Sequence, residues 1–490
     1  MADDKNGAAS RIENLPKVNT PEVKRCWGDE VDDEESETAP SGYGEKELNI
    51  ASLAIDENKN INKFLDDPED SNIKAVTSGD TPYTSASTFE DLKLSHELLQ
   101  ALYVDMNFER PSKIQAISLP MVLTPPYKNL IAQAHNGSGK TTCFVLGMLS
   151  RVNPTLKAPQ ALCVCPTREL AIQNLEVLRK MGKYTGITSE CAVPMDSTNK
   201  IPIAKRPPIT AQIVIGTPGT IKKWMSAKKL STRDMKILVF DEADHMLDQD
   251  GFQDDSLRIM KDIERNSAHC QVLLFSATFN EEVKIFVSRV VKDGNQLFVK
   301  KEELSLEAVK QYKVHCPGER AKVLVIKDKI FELGEKLGQT IIFVRTRKSA
   351  DMLHKSLVEF GWPCTNIQGA LPQEVRDKIV KEFKDGLTKV LISTDILARG
   401  FDQAQVNLVV NYDLPVKHGT SEPDYEVYLH RIGRAGRFGR KGAVFNLLCG
   451  DMDMTIMEKI EKHFGHNISE VPSWESDDDF EAALKAAGLM

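Results

Sequence analysis

Eight consecutive residues, Ala134-His135-Asn136-Gly137-Ser138-Gly139-Lys140-Thr141, carry a strong chemical signal in this 490-residue chain. The apolar run Asn129–Ala134 precedes them and a helical pattern, TTCFVLGMLSRV, follows. Gly137 and Gly139 let the backbone wrap closely around an anion, and the N–H groups opening the new helix point at its oxygens. Lys140 is placed to reach the β- and γ-phosphates of a nucleotide, and the Thr141 hydroxyl to ligate Mg²⁺. Further along, Asp241-Glu242-Ala243-Asp244 ends the apolar run KILVF. Acids at the carboxyl end of a buried parallel strand stand where open α/β sheets bind ligands. Asp241 is expected to hold Mg²⁺, and Glu242 to orient and deprotonate an attacking water. The plain alternative is an acidic strand-end cap; the phosphate loop in the same chain favours the catalytic reading. A third signal is His430–Arg437, HRIGRAGR, with three arginines in seven residues spaced by glycines. Each guanidinium is a permanent charge in a rigid fork that fits a phosphoryl oxygen; the alternative is a solvated basic loop.

These residues need strands and helices to position them. Short apolar runs Asn129–Ala134, Ala161–Pro166, Gln212–Gly216, Ile237–Asp241 and Gln271–Ser276 read as strands covered on both faces, the pattern of a parallel sheet with helical crossovers. A second series follows: Gln339–Val344, Lys389–Thr394, Val406–Tyr412 and Ala443–Leu448. Between its first two members Pro372–Lys384 reads as a helix, with Val375, Ile379, Val380 and Phe383 at helical spacing. Cys163 and Cys165 read as small core residues on opposite faces of a strand. The chain divides into an acidic disordered leader over residues 1–60, a pre-core segment over 61–86, a first α/β domain over 87–300, a linker over 301–320 and a second α/β domain over 321–490. Within the pre-core segment, Ile61–Asp67 is either a docking helix or a transient apolar cluster.

Composition narrows the function classes. Apolar content of 41% supplies sizeable cores, and no run approaches the roughly 18–20 apolar residues of a membrane span. The nine cysteines are dispersed and the N-terminus lacks a secretory pattern, as in a protein with reduced thiols. Residues 1–70 hold 19 acids and 8 bases, a net of −11. Taking −11 from the whole-chain −8 leaves +3 for the remainder, so the acidic balance does not argue against nucleic-acid binding by the folded body.

Together, AHNGSGKT and DEAD make the chain resemble the DEAD-box RNA helicases. That resemblance implies two tandem RecA-like domains, each a mostly parallel sheet with helices on both faces, and ATP with Mg²⁺ as cofactors. Further motifs fall in family order over about 400 residues. Phe89 stands upstream of Phe108–Gln115 (FERPSKIQ), which is similar to the family's adenine-reading motif; Gln115 can offer donor and acceptor to the adenine edge, and Phe108 can stack on its face. Pro166, Thr167 and Arg168, with Thr217, Pro218 and Gly219, resemble the motifs that hold the RNA backbone, although Thr220 stands where the family usually has Arg. Ser276, Ala277 and Thr278 match the motif linking nucleotide state to domain closure, a coupling that also draws in Asp244 and His430. In the second domain the resemblance gives Gln368, Gly369 and Thr394 to RNA, Gly400 and Asp402 to the nucleotide, and Arg434 and Arg437 to the γ-phosphate as arginine fingers.

The implied mechanism is RNA-induced closure that completes the ATPase centre, bends single-stranded RNA and opens short duplexes. The chain is most similar to the family members acting in messenger-RNA export at the nuclear pore, and to the plant ones among them. Residues 69–84, Thr220 and the insert Lys417–Asp424 carry that likeness. It implies a monomer working in nucleus and cytoplasm, at the cytoplasmic face of the pore, on messenger ribonucleoprotein. Its partners would be a nucleoporin and an export mediator that uses inositol hexakisphosphate. An inhibitory helix would lie at Ile61–Asp67. An ATP-gated RNA clamp, a DNA helicase and a nucleotide-dead scaffold are the competing readings; intact Lys140, Glu242 and Arg437 oppose the last.

Overall fold

A computed structural model of the chain describes residues 74–76, 83–133, 138–194, 202–247, 251–298, 309–332, 338–397, 401, 403, 405–436 and 441–490. The leader, the Ile61–Asp67 segment, the first part of the linker and the site residues Ala134, His135, Asn136, Gly137, Gly400, Asp402 and Arg437 lie outside the described residues.

The first sheet is built from β1 (Lys74–Val76), β2 (Leu130–Gln133), β3 (Ala161–Val164), β4 (Ser189–Ala192), β5 (Ile213–Gly216), β6 (Ile237–Phe240), β7 (Gln271–Ser276) and β8 (Asn295–Phe298). Their spatial order is β1-β8-β2-β7-β6-β3-β5-β4. Every pairing is parallel except the edge pair β1–β8. All residues of β2, β3, β5, β6 and β7 are buried, which is why they read as unbroken apolar runs: helices cover both faces. The chain leaves β2 through helix Lys140–Arg151 and re-enters at β3, with β7 and β6 lying between. The order of strands therefore switches beside β2, where doubly wound sheets open a crevice at their carboxyl ends.

The second sheet holds β9 (Lys310–His315), β10 (Gln339–Phe343), β11 (Thr365–Ile367), β12 (Val390–Ser393), β13 (Val406–Asn411), β14 (Ala443–Leu448) and β15 (Ser469–Glu470). The order is β11-β12-β10-β13-β14-β9-β15, parallel throughout. The expected strands appear in both sheets with ends trimmed by a residue or so. The expected linker differs: Lys310–His315 within it is β9, paired along its whole length with β14. Its charged residues disguise a strand in which Gln311, Tyr312 and Val314 are buried. Also unanticipated were β4, β8, β11 and β15, where Ser, Glu, Asn and Gln interrupt the apolar run; β4, β11 and β15 are edge strands, wetted on one side.

Cys163 and Cys165 are both fully buried, but they share a side: their Sγ atoms lie 3.8 Å apart. Strand positions two apart face the same way, which corrects the reading of opposite faces. Helix Gln373–Lys384 buries Val380 and Phe383 as its spacing foretells, while Val375 remains exposed. Helix Arg168–Met181 packs Leu170, Ala171, Leu175 and Leu178 inward at helical spacing, and the Thr167 hydroxyl caps it by accepting from Leu170 N–H at 3.2 Å. It faces helix Gln373–Lys384 across the seam between the domains, where Arg168 meets Asp377 at 2.6 Å, Arg376 meets Glu169 at 3.6 Å and Lys384 meets Glu176 at 3.5 Å. In this arrangement the two domains are in contact.

Candidate active site

Chemistry-bearing residues collect where parallel strands end. Gly139 follows β2, Pro166 follows β3, Thr217 follows β5, Asp241 follows β6 and Ala277 follows β7, all at one edge of the first sheet. Gly139 sits at the N-terminus of helix Lys140–Arg151 with a φ of 95°, a conformation glycine adopts without strain. A Cβ there would collide with Gln115 Nε2. The first turn of that helix has no side-chain cap, so its N–H groups are open to an anion. Lys140 is only 7% exposed, and its ammonium has no hydrogen-bond partner among the described residues. A buried, unpaired cation is costly, and a bound phosphate would supply its missing partner. Thr141 is half-buried one residue into the helix.

Gln115 lies on helix Lys113–Leu123 and is nearly fully buried. Its Oε1 accepts from Ser112 N–H at 3.0 Å and its Nε2 donates to Gly139 O at 3.3 Å. Ser112 Oγ donates to Ser138 O at 2.9 Å. The carboxamide expected to read adenine thus also grips the phosphate loop, leaving one hydrogen and one lone pair. Phe108 is half-buried, its ring stacked on Phe89 at a centroid distance of 6.4 Å.

Asp241 and Glu242 are both buried. Burial raises the Asp241 carboxyl, aided by the Glu242 charge and opposed by Lys140 and by a hydrogen bond from Asn174. Glu242 goes the other way: burial works against its ionised form, but His245, His430 and Arg434 outweigh that and hold its carboxyl low. One member of the pair is therefore kept firmly ionised. Glu242 also has a φ of 52°, a left-handed backbone that is strained for a residue with a Cβ and that turns its side chain off the strand direction.

The sequence-predicted coupling residues come together. Asp244 Oδ2 accepts from Thr278 Oγ1 at 2.9 Å and from Thr278 N–H at 3.1 Å, and Ser276 Oγ donates to Thr278 O at 2.7 Å. Ala277 O accepts from Gln133 Nε2 at 3.3 Å, tying the loop back to β2. From the second domain, His430 Nε2 lies 3.4 Å from Asp244 Oδ2, with both side chains fully enclosed. His430 and Arg434 belong to helix Tyr425–Ile432 and the turn after it. Arg434 is 3% exposed; its Nε donates to His430 O at 3.1 Å and its Nη1 to Phe401 O.

The residues expected on RNA are more dispersed. Pro166 is buried, and Thr167 is spent on its helix cap. Arg168 reaches the other domain: its Nη1 donates to both oxygens of Asp377, at 2.6 and 2.8 Å, while its Nε has no partner among the described residues. Thr217 and Pro218 are buried at the start of helix Pro218–Ser226, with Gly219 half-buried beside them. Gln368 donates to Asp351 Oδ1 at 2.8 Å; Gly369 and Thr394 are half-buried at the ends of β11 and β12.

Four contributors escaped the sequence reading. Asn174 donates to Asp241 Oδ2 at 2.8 Å. Asn280 Nδ2 donates to Glu426 across the domains while its Oδ1 caps helix Glu281–Val290. Arg431, fully buried, links Asp395 at 2.7 Å, Asn411 Oδ1 at 3.2 Å and Asp413 O at 2.7 Å. His245 stands 3.8 Å from Glu242. Arg431 alone had a signal, as one of the three arginines of His430–Arg437.

Comparison with known proteins agrees with this geometry. Residues 112–286 match the family model described as DEAD/DEAH box helicase, and residues 321–439 match helicase conserved C-terminal domain. A rice protein, DEAD-box ATP-dependent RNA helicase 38, is 68% identical over 427 residues, covering 87% of this chain and 85% of its own. The solved structure of Saccharomyces cerevisiae Dbp5 bound to RNA and ADP BeF3 is 40% identical with a TM-score of 0.76, covering 82% of this chain and 100% of that one. Yeast Dbp5 bound to Nup159, Gle1, IP6 and ADP is 38% identical with a TM-score of 0.58, covering 80% and 99%.

Proposed function

This chain belongs to the DEAD-box ATP-dependent RNA helicases and is thereby an RNA-stimulated ATPase, and from that premise we propose that both domains own parts of one reaction centre that RNA assembles. Gln115 and Phe108 bind the adenine, and the loop over residues 134–141 cradles the phosphates with Lys140 at the β- and γ-positions. Glu242 takes the proton of the attacking water, and Arg434 and Arg437 stabilise the charge that builds on the γ-phosphoryl group. Such a finger contributes about 10³–10⁵ in rate. Gly400 and Asp402 complete the nucleotide side. The observation that carries this reading is that His430, from the second domain, lies 3.4 Å from Asp244 of the first with both side chains fully enclosed.

The residues present also fit Mg²⁺: Asp241 and the Thr141 hydroxyl are oxygen donors of the hard type this cation prefers, next to the open helix N-terminus. Mg²⁺ held there neutralises charge on the transferring phosphates. Single-stranded RNA runs over Pro166, Thr167, Thr217, Pro218, Gly219, Gln368, Gly369 and Thr394, gripped by phosphates and 2′-hydroxyls and so without marked sequence preference. Arg168 joins that surface through the part of its guanidinium not bonded to Asp377. Asp244, Ser276, Ala277, Thr278 and His430 transmit closure. The deciding experiment is the ATPase rate with and without single-stranded RNA, for the parent chain and for Lys140→Ala. A rate indifferent to RNA, or full turnover by the Lys140→Ala variant, overturns the shared centre. A short tailed duplex then separates unwinding from clamping, and parallel DNA stimulation tests the preference for RNA.

The setting proposed is messenger-RNA export, with the two sheets, running from Lys74 to Phe298 and from Lys310 to Glu470, at the centres of the two working domains. Yeast Dbp5, similar over most of this chain, is described with Nup159, Gle1 and IP6. By that likeness the partners are a nucleoporin and an inositol-hexakisphosphate-dependent mediator at the cytoplasmic face of the pore. Retention of polyadenylated RNA in nuclei depleted of the protein tests the setting; normal export refutes it.

A further inference from the structure

We propose that Asn174 is a positioning residue for the cation-holding carboxylate of Asp241. The inference rests on the assignment of Mg²⁺ to Asp241 made above. Asn174 lies inside helix Arg168–Met181, well past its N-cap, and is fully buried. That is a poor place for asparagine on both counts: its helix propensity is low, and its amide must be taken out of water. Its inward-facing helical neighbours Ala171, Leu175 and Leu178 are apolar, as packing alone would choose.

The amide is set by two acceptors. Asn174 Nδ2 donates to Asp241 Oδ2 at 2.8 Å and to Cys165 Sγ at 3.4 Å, which uses both of its hydrogens. Turning the amide over would bring an oxygen lone pair against the carboxylate. Asn174 Oδ1, on the far side, is buried with no partner among the described residues. An unpaired buried carbonyl destabilises a fold, so this side chain does not earn its place by stability.

What the amide does is hold one oxygen of a carboxylate fixed at the end of β6. Asp241 N–H is already bonded to Val164 O at 3.0 Å, so backbone and side chain are both tied to the elements around β3. The carboxylate plane cannot turn without breaking the Asn174 bond, which leaves Oδ1 as the oxygen not engaged by this amide. Outer partners of this kind typically govern metal affinity by about 10–100-fold without touching the metal.

The test uses the full chain and a fluorescent ADP analogue, with equilibrium binding read as Mg²⁺ is titrated. Asn174→Leu keeps the volume and removes both the donor and the unpaired oxygen. Its thermal midpoint should equal or exceed that of the parent, and its affinity for the analogue without Mg²⁺ should be unchanged. The Mg²⁺ concentration for half-maximal tightening should rise about 10–100-fold. Asn174→Ala, which leaves a cavity, should shift the Mg²⁺ requirement equally while losing stability. An unchanged Mg²⁺ requirement in both variants, with Asp241→Asn abolishing the Mg²⁺ effect, overturns the inference and leaves the cation assignment standing. A Mg²⁺ effect that survives Asp241→Asn removes the assignment itself, and the inference with it.

Discussion

Replacing Asp377 by Ala removes the acceptor of both hydrogen bonds made by Arg168 across the domain seam, at 2.6 and 2.8 Å. Arg168 is 10% exposed and Asp377 is 29% exposed, so the pair is neither a free surface bridge nor a dry interior one. A hydrogen bond to a charged group nets about 1.5–3 kcal/mol. Screening at the wetter Asp377 end lowers that to about 1–2 kcal/mol. The pair joins helices of different domains, and so the loss falls on their contact rather than on either core. Domain contact is what RNA must bring about, hence the RNA concentration for half-maximal ATPase stimulation should rise about 5–30-fold, with the maximal rate little changed. Exchanging the charges in the double variant Arg168→Asp with Asp377→Arg should recover part of the loss, since the two changes act on one interaction. A shift under twofold for Asp377→Ala, or a fall in its thermal midpoint large enough to account for the effect, would refute the assignment of this pair to closure.

Glu242→Gln removes the ionised carboxylate that His245, His430 and Arg434 hold low; ATP and RNA should remain bound in a stable complex while turnover falls by at least about 10²-fold, read by single-turnover hydrolysis. His430→Ala breaks the enclosed contact with Asp244, so basal ATPase should persist while stimulation by RNA drops several-fold, measured as the ratio of the two rates. Arg431→Leu strands Asn411 and Asp395; the cost should be about 3 kcal/mol, at the low end for a buried pair because Asp395 is half exposed, and urea unfolding checks it. Cys143 and Cys191 should resist alkylation in the native state at pH 8, because burial pushes each thiol up to about 12 and the reactive thiolate is scarce; rapid labelling there would contradict their enclosure, with mass mapping as the readout.

The parallel cores were legible because strands such as Ile237–Phe240 and Gln271–Ser276 are apolar on both faces, each with an unbroken four-residue apolar run. Edge strands are different. Thr365–Ile367 and Ser189–Ala192 need only one apolar side, and their hydrogen bonding is completed by a neighbour distant in sequence, so composition under-reports them. Lys310–His315, though flanked by β14 and β15, looked like a linker because Lys310, Lys313 and His315 break up its buried residues. At the site, residues bearing the reaction were visible through local spacing, as in Gly137-Ser138-Gly139-Lys140-Thr141. Residues that hold others in place were not: Asn174 and Asp241 are 67 positions apart, and Asn280 and Glu426 are 146 apart. Nothing in either neighbourhood announces a partner that only the fold supplies. Arg168 shows the converse: its local pattern points at phosphate, and only the assembled domains reveal the Asp377 carboxylate that its Nη1 meets.

One rod of 14 residues, Arg168–Met181, touches three separate affairs of the molecule. Its first turn follows the Pro166–Thr167 loop, its middle grips the carboxylate beside the phosphate pocket through Asn174, and its flank carries Glu169 and Glu176 to the opposite domain. A helix transmits displacement along its axis with little loss, since stretching it would break its ladder of backbone bonds. A tug at the strand-facing end therefore shifts the cation's seat and the seam together. Mutations scattered along this one element should for that reason show correlated defects in grip, fuel handling and docking, even where no two of the altered side chains meet.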